Sequence, residues 1–129
     1  MSATLPLVYL GFPSYGNVAA IGAVSSFLAT PTQGKCAVIR AGSQSSLLCY
    51  GFNSLWAGAL NARATMGVTH FAMIHADVAP EPFWLDVLLE EMTRLRADLV
   101  SAVVPIKSTQ GLTSTGIDNP LDPWHPRRL

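Results

Sequence analysis

Charged side chains are scarce in this sequence. Only 12% of its 129 residues are Asp, Glu, Lys or Arg, against about 25% in an average globular protein, while 50% are hydrophobic. A composition this apolar excludes an intrinsically disordered chain. It predicts one compact domain, and it indicates that part of the apolar surface is covered by something outside the chain.

Acidic residues are absent from the first half of the chain. No Asp or Glu precedes Asp77, whereas Lys35, Arg40 and Arg63 do. This positive segment favours an anionic ligand, such as a phosphate, over a cationic one. The whole chain has a formal net charge of +0. We therefore expect no binding to nucleic acid, which requires a clustered basic surface.

Cysteines are few and long apolar runs are lacking. The two cysteines, Cys36 and Cys49, do not have the spacing of a metal site, and no signal peptide precedes them. We expect both to be buried, reduced thiols of a cytoplasmic protein. No apolar run approaches the ~18 to 20 residues of a membrane-spanning helix, so no membrane span is expected.

Short apolar runs alternate with longer segments of helical periodicity. The predicted strands are Leu7–Phe12, Cys36–Ile39, His70–Ile74 and Leu99–Val104. Such alternation predicts an α/β fold with three layers, α/β/α, around a mainly parallel, Rossmann-like sheet. Ligands of these sheets bind beyond the carboxyl ends of the strands.

Three helices are predicted between and after these strands. Asn17 is placed to cap the first helix, Thr30-Pro31 to end it, Gly67 to end the second, and Pro80-Glu81-Pro82 to precede the third. The apolar residues that recur at helical spacing are Ala20, Ile21, Val24, Phe27 and Leu28 in the first helix, and Leu48, Phe52, Leu55, Trp56, Ala59 and Leu60 in the second.

His75 and Asp77 stand at the tip of the third predicted strand. The alternation of a strand would place both side chains on one side, where an imidazole and a carboxylate could share Mg²⁺ or Mn²⁺ with a diphosphate. A structural role is the alternative. In that case Asp77 caps the following turn or helix, and His75 is a partly buried histidine with its hydrogen bonds satisfied inside the fold.

Several strand-end motifs occur in a specific order. Pro13-Ser14-Tyr15 follows the first strand, Asn53 lies near the start of the second helix, Thr69 to Asp77 forms an apolar strand with an acid at its end, and Pro105-Ile106-Lys107 follows the fourth strand. In these features the stretch from Leu7 to Lys107 resembles the nucleotide-sugar-binding part of family 2 type glycosyltransferases of the GT-A fold. The resemblance is to their short bacterial and phage-associated branch.

The resemblance implies a role for each matched residue. Pro13 and Tyr15 would line the pocket for the base and ribose of a UDP- or GDP-linked sugar. Asp77 would hold Mg²⁺ or Mn²⁺ against the diphosphate, with His75 in the place of the first acid of the family's Asp-x-Asp motif. Asn53, Arg40 and Lys107 are the further predicted contacts to the nucleotide-sugar. Tyr15 as a simple loop aromatic and Lys107 as a solvated base are the alternatives.

The sequence also departs from the family pattern. Phe52 stands where many relatives have an Arg beside Asn53, and Arg40-Ala41-Gly42 occupies the strand end where many carry an acid. A complete GT-A domain continues well past the Asp-x-Asp strand. We therefore expect a nucleotide-sugar-binding domain over residues 1–107, an irregular tail or lid over residues 108–129, and truncation after the nucleotide-binding half.

Three functions remain open at this point. The first is a glycosyltransferase that moves sugar from a nucleotide-diphospho-sugar to an acceptor that the sequence does not name. The second is a non-catalytic nucleotide-sugar-binding or assembly module, since no residue is identifiable as a catalytic base. The third is an unrelated α/β domain in which His75 and Asp77 are structural. If half of a larger fold is missing, the surfaces it would cover predict self-association of the chain.

Overall fold

The computed structural model describes residues 5–16, 18–104, 116–117, 120–121 and 127–128. The chain divides into two units, residues 1–90 and residues 91–129. The elements of the first unit are β1 (Leu7–Ser14), α1 (Ile21–Ala29), β2 (Ala37–Gln44), α2 (Leu48–Met66), β3 (His70–Met73) and the start of α3 (Trp84–Leu95). In the second unit, β4 (Gly116–Ile117) pairs antiparallel with β5 (Arg127–Arg128).

The first unit is built on a sheet of three parallel strands in the order β2-β1-β3. The central strand, β1, pairs along its whole length with β2, from Leu7 opposite Ala37 to Ser14 opposite Gln44. Its other edge pairs with β3 from Val8 to Gly11. This arrangement confirms the predicted α/β fold with alternating strands and helices.

One face of the sheet packs against α1 and the start of α3. Leu10, which is 0% exposed, and Phe12 form a core cluster with Ala23 of α1. The rings of Phe12 and Phe27 stack with centroids 4.8 Å apart. Val8 lies in a second cluster with Leu85 of α3. Val8, Leu10 and Phe12 of β1 therefore point to this face. Because successive residues of a strand alternate between faces, the odd-numbered side chains of β1 point to the opposite face.

The opposite face packs against α2. An ideal Cβ placed on Gly11 would lie 3.1 Å from Leu55 Cδ1, so the helix approaches β1 closely at this point. Phe71 of β3 meets the rings of Phe52 and Trp56 edge-on, at centroid distances of 5.8 and 5.2 Å. The sheet therefore has helices on both faces, as the predicted three-layer arrangement requires.

The helix ends match their sequence signals more closely than the helix faces do. Thr30 follows α1 and donates its hydroxyl to the Ser26 carbonyl at 2.6 Å. Gly67 ends α2 in the left-handed region with a φ of 76°, which glycine adopts without a Cβ clash. The predicted apolar stripes are only partly buried, however. The exposed members include Ile21, Leu28, Leu48, Trp56 and Leu60.

Two strand predictions are wrong. Residues 99–104 form no strand, although their composition is typical of one, because strand propensity does not by itself supply a neighbouring strand. The second strand continues to Gln44 instead of ending at Ile39, since Gly42, Ser43 and Gln44 pair with the end of β1. Asn17, the predicted cap of the first helix, lies outside the described residues, and α1 begins after Ala20 without a side-chain cap.

The start of α3 is attached to the loop between α1 and β2. Asp86, only 2% exposed, accepts a hydrogen bond from the Gln33 backbone N–H at 2.8 Å through Oδ2. Lys35 and Glu90 form an ion pair beside it. A buried carboxylate that holds a backbone amide fixes this loop against the helix, because leaving either group without a partner would cost about 1–3 kcal/mol.

No described helix is long and apolar enough to cross a membrane.

The two cysteines differ in environment. Cys36 is buried beside Val8 and Leu85, whereas Cys49 is exposed in the first turn of α2, so the prediction of a buried thiol is wrong for Cys49. Both are free thiols. Burial raises the pKa of the Cys36 thiol, and the nearby Asp86 carboxylate raises it further. The reactive thiolate form of Cys36 is therefore disfavoured in the folded chain.

We expect one fast and one slow thiol in the folded protein. A thiol reagent at neutral pH should label Cys49 quickly and Cys36 only when the chain unfolds, because burial and raised pKa both suppress the Cys36 thiolate. Mass spectrometry of a labelling time course distinguishes the two sites. Equal labelling rates under native conditions would contradict the buried position of Cys36, and a Cys49→Ser variant gives the Cys36 rate alone.

Candidate functional site

The carboxyl end of β1 is the point where the strand order reverses. β1 leads through α1 to β2 on one side, and the chain then returns through α2 to β3 on the other. In open parallel sheets, ligands bind in the crevice at such a reversal. The loops that follow β1, β2 and β3, residues 15–20, 45–47 and 74–83, surround this end of the sheet. We call the region between these loops the crevice.

Backbone hydrogen bonds join the three loops of the crevice. The Ser45 N–H donates to the Ser14 carbonyl at 3.1 Å, which ties the loop after β2 to β1. The Ala20 N–H donates to the Ala76 carbonyl at 2.7 Å, which ties the loop after β1 to the turn after β3. Three segments that are distant in the sequence therefore form one continuous rim.

Pro13 and Tyr15 both lie at the end of β1, as predicted. Pro13 is buried within the strand, opposite Ser43 of β2. Tyr15 follows the strand and is 68% exposed, in a tight turn closed by the hydrogen bond from the Val18 N–H to the Tyr15 carbonyl at 2.9 Å. The Tyr15 ring is therefore available to a ligand, whereas Pro13 is buried in the strand, where a Cβ on Gly51 of α2 would lie 3.6 Å from its Cβ.

His75 and Asp77 lie on the same rim but not on a strand. β3 ends at Met73, and the Val78 N–H donates to the His75 carbonyl at 3.1 Å, so residues 75–78 form a turn. The alternation expected of an extended strand does not apply to these two residues. His75 is half-buried and Asp77 is exposed. Among the residues that the structure describes, no three His, Cys, Asp or Glu side chains come together as a metal site.

Of the remaining predicted site residues, Arg40 and Asn53 lie away from Tyr15 and Asp77, and Lys107 is outside the described residues. Arg40 stands in the middle of β2, opposite Leu10, and its Nε donates to the Phe27 carbonyl at 2.8 Å near the end of α1. Asn53 is exposed in the second turn of α2, on a different side from the buried Leu55.

The bases of the acid-free segment do not collect at the crevice. Lys35 pairs with Glu90, Arg40 is bonded to the end of α1, and Arg63 lies in the last turn of α2. The positive features at the crevice are instead the first turns of α1 and α2. Neither helix has a side-chain cap or an acid in its first turn, so the positive ends of both helix dipoles remain.

Two further exposed apolar side chains follow Tyr15 in the chain. Val18 lies in the same turn, and Ile21, the first residue of α1, is 87% exposed. Helical spacing groups Ile21 with the apolar stripe of α1, but the structure leaves it exposed. Its position in the helix is the signal that could have shown this, because a residue in the first turn of a helix after a parallel strand lies at the rim of the sheet and not over it.

Comparison of the chain with protein-family models, with curated proteins and with solved structures found no match in any of the three. The structure thus defines a small, Rossmann-like α/β domain, and the likeness to glycosyltransferases rests on the sequence motifs alone.

The turn after β3 continues as a segment that packs along α1. This segment, residues 75–82, is held by the bond from Ala20 to Ala76 and by the Ser26 hydroxyl, which donates to the Pro80 carbonyl at 3.4 Å. Between these bonds Gly22 faces Ala79 so closely that a Cβ on Gly22 would lie 2.9 Å from the Ala79 Cβ. The close approach requires glycine at position 22.

Gly22→Ala should therefore destabilise the fold by about 1–3 kcal/mol, because Ala79 is attached directly to the backbone and the segment must move. The double variant Gly22→Ala with Ala79→Gly removes the second methyl group and should recover most of the loss. Urea unfolding measures both. Gly51→Ala is the matched control, since its nearest neighbour would be 3.6 Å away and alanine is the better helix former. Equal losses at Gly22 and Gly51, or no recovery in the double variant, would contradict the packing described.

Proposed function

We propose that the chain binds a nucleotide-diphospho-sugar in the crevice, as the donor site of a glycosyltransferase. The observation that carries the proposal is the strand order β2-β1-β3, which brings the loop of Tyr15 and the turn of His75 and Asp77 to one rim at the carboxyl end of β1. The resemblance of these same motifs to family 2 type glycosyltransferases supplies the class of ligand.

The diphosphate would lie against the first turns of α1 and α2. The first N–H groups of a helix have no partner within the helix, and they favour an anion. Both helices begin at the crevice, and neither has a side-chain cap or an acid in its own first turn. This backbone arrangement supports the proposed binding of an anion, although Lys35, Arg40 and Arg63 lie elsewhere.

The nucleobase would lie against Tyr15. The exposed phenol ring of Tyr15 offers a flat apolar surface with a polar tip, which suits a heteroaromatic base, and Val18 and Ile21 are exposed on the same loop and helix start. Burial of these side chains by a base also removes exposed apolar area from water, at roughly 25 cal/mol per Å².

The role of a metal depends on the ligand. His75 and Asp77 could supply at most two ligand residues, fewer than Mg²⁺ or Mn²⁺ requires, so an ion bound here would have to be shared with a diphosphate. Bound in that way, a divalent ion would neutralise charge on the departing nucleoside diphosphate. Asp77 would orient the diphosphate through the shared ion, and the half-buried His75 would lie on the inner side of the same turn.

Binding without sugar transfer is the second candidate, and the distribution of carboxylates favours it. Within the described part of residues 1–90, Asp86 is bonded to Gln33 and Glu90 to Lys35. Asp77 and Glu81 are the acids of the 75–82 segment, and both are exposed. A general base has to be positioned within hydrogen-bond reach of the acceptor hydroxyl, and exposure by itself does not position either carboxylate in that way.

Tyr15→Ala should weaken nucleotide binding about tenfold, since loss of a stacking surface costs on the order of 1–1.5 kcal/mol. Isothermal titration with UDP- and GDP-sugars measures the change. Leu28→Ala is the matched control, because Leu28 is 63% exposed against 68% for Tyr15 but lies at the far end of α1. Absence of binding to any nucleotide, or equal losses in the two variants, would refute the proposed site.

Asp77→Asn should remove the part of the affinity that depends on Mn²⁺ and leave binding without metal largely unchanged, because the amide is a poorer ligand for a hard cation. Titrations with and without Mn²⁺ test this, and Asp98→Asn, at an exposed acid outside the 75–82 segment, is the control. If the wild-type affinity does not respond to Mn²⁺, the metal role of Asp77 is refuted. Assay of the same samples for released nucleoside diphosphate separates transfer or hydrolysis from binding alone.

A further inference from the structure

A second concave site lies between α1 and the end of the 75–82 segment. It has a volume of about 290 Å³ and is lined by Ser25, Ser26, Pro31, Pro80, Glu81, Pro82 and Trp84. Pockets of this size are at the lower end of the range for small-molecule sites. We call it the serine-tryptophan pocket. It is separate from the proposed nucleotide contacts at Tyr15 and Asp77.

The walls of this pocket combine three kinds of group. Trp84 provides an aromatic surface, the serines provide two hydroxyls, and Glu81 provides a carboxylate acceptor. No Lys or Arg is among the lining residues, so nothing in the wall compensates the charge of an anion. A phosphate or a carboxylate ligand is therefore disfavoured by the negative charge of Glu81.

The walls are restrained before any ligand arrives. Pro31, Pro80 and Pro82 have fixed φ angles. The Ser26 hydroxyl bonds to the Pro80 carbonyl, which joins the two sides of the pocket. Little conformational entropy remains to be lost when such a site is filled, which favours binding of a small ligand.

Trp84 is held by packing and not by a hydrogen bond. Its ring contacts both core clusters, and its indole N–H is buried with no acceptor among the described residues. An indole N–H is a donor only, and an unpaired one costs free energy. A small rotation of the half-buried ring toward the pocket would give this donor an acceptor if a ligand oxygen were present there.

We propose that the serine-tryptophan pocket binds a neutral saccharide unit. A sugar ring has an apolar face of C–H groups that fits an indole surface, and hydroxyls that both donate and accept. Glu81 would accept from adjacent sugar hydroxyls, Ser25 would donate or accept, and Trp84 would pack against the ring. Binding at this pocket does not require a nucleotide in the crevice.

The test is a titration of the ¹⁵N-labelled full chain with methyl glucoside and methyl galactoside, followed by NMR. The expected result is saturable, millimolar binding with shifts at the amides of Ser25, Ser26 and Glu81 and at the Trp84 indole N–H. Ser25→Ala and Glu81→Gln should each weaken binding about fivefold, the effect of one lost hydrogen bond. Ser54→Ala, an exposed serine of α2, is the control and should bind like the wild type.

Three outcomes would overturn the proposal. The first is the absence of saturable shifts with either glycoside, and the second is shifts confined to Tyr15 and Val78 in the crevice. The third outcome is equal affinity in Ser25→Ala, Glu81→Gln and Ser54→Ala. A tetramethylammonium titration covers the cationic alternative. Binding of that ion through Glu81 without binding of either glycoside would show a cation site instead. Because no nucleotide is present, failure here leaves the crevice proposal intact, and failure of nucleotide binding leaves this one intact.

Discussion

The double burial of β1 is the constraint on which the rest of the structure depends. This strand pairs with β2 on one edge and β3 on the other, and both of its faces are covered by helices. Its apolar run Leu7–Phe12 has no polar side chain to place in water except the Tyr9 hydroxyl. Such a strand is stable only at the centre of a parallel sheet, and that position places its carboxyl end at the reversal of the strand order.

Several charged side chains among the described residues of the first unit hold the fold. Arg40 binds the end of α1, Asp86 holds the Gln33 amide, and Lys35 and Glu90 join the same loop to α3. With these side chains engaged, recognition of the proposed anionic ligand at the crevice would fall to backbone N–H groups at the helix starts. Because the sequence has few charged residues, the proposed ligand would be bound mainly by backbone groups and not by charged side chains.

The 75–82 segment connects the two proposed sites. One end carries His75 and Asp77 at the crevice, and the other carries Pro80 and Glu81 at the serine-tryptophan pocket. Its backbone bond to Ala20, the close contact at Gly22 and the bond from Ser26 fix it along α1. The segment therefore has a fixed position along α1 between the two proposed sites, with no room for a methyl group on Gly22.

The sequence by itself determined the α/β class, the three parallel strands of the first unit and the carboxyl ends of α1 and α2 at Thr30 and Gly67, because apolar runs, helical spacing and residues such as Gly67 act locally. It also placed Tyr15, His75 and Asp77 at strand ends. Only the tertiary structure decided the strand order, the turn at His75, the position of Arg40 and the lack of a strand over residues 99–104. Each of these depends on which distant segment supplies the hydrogen-bond partner, and a local pattern of residues does not contain that information.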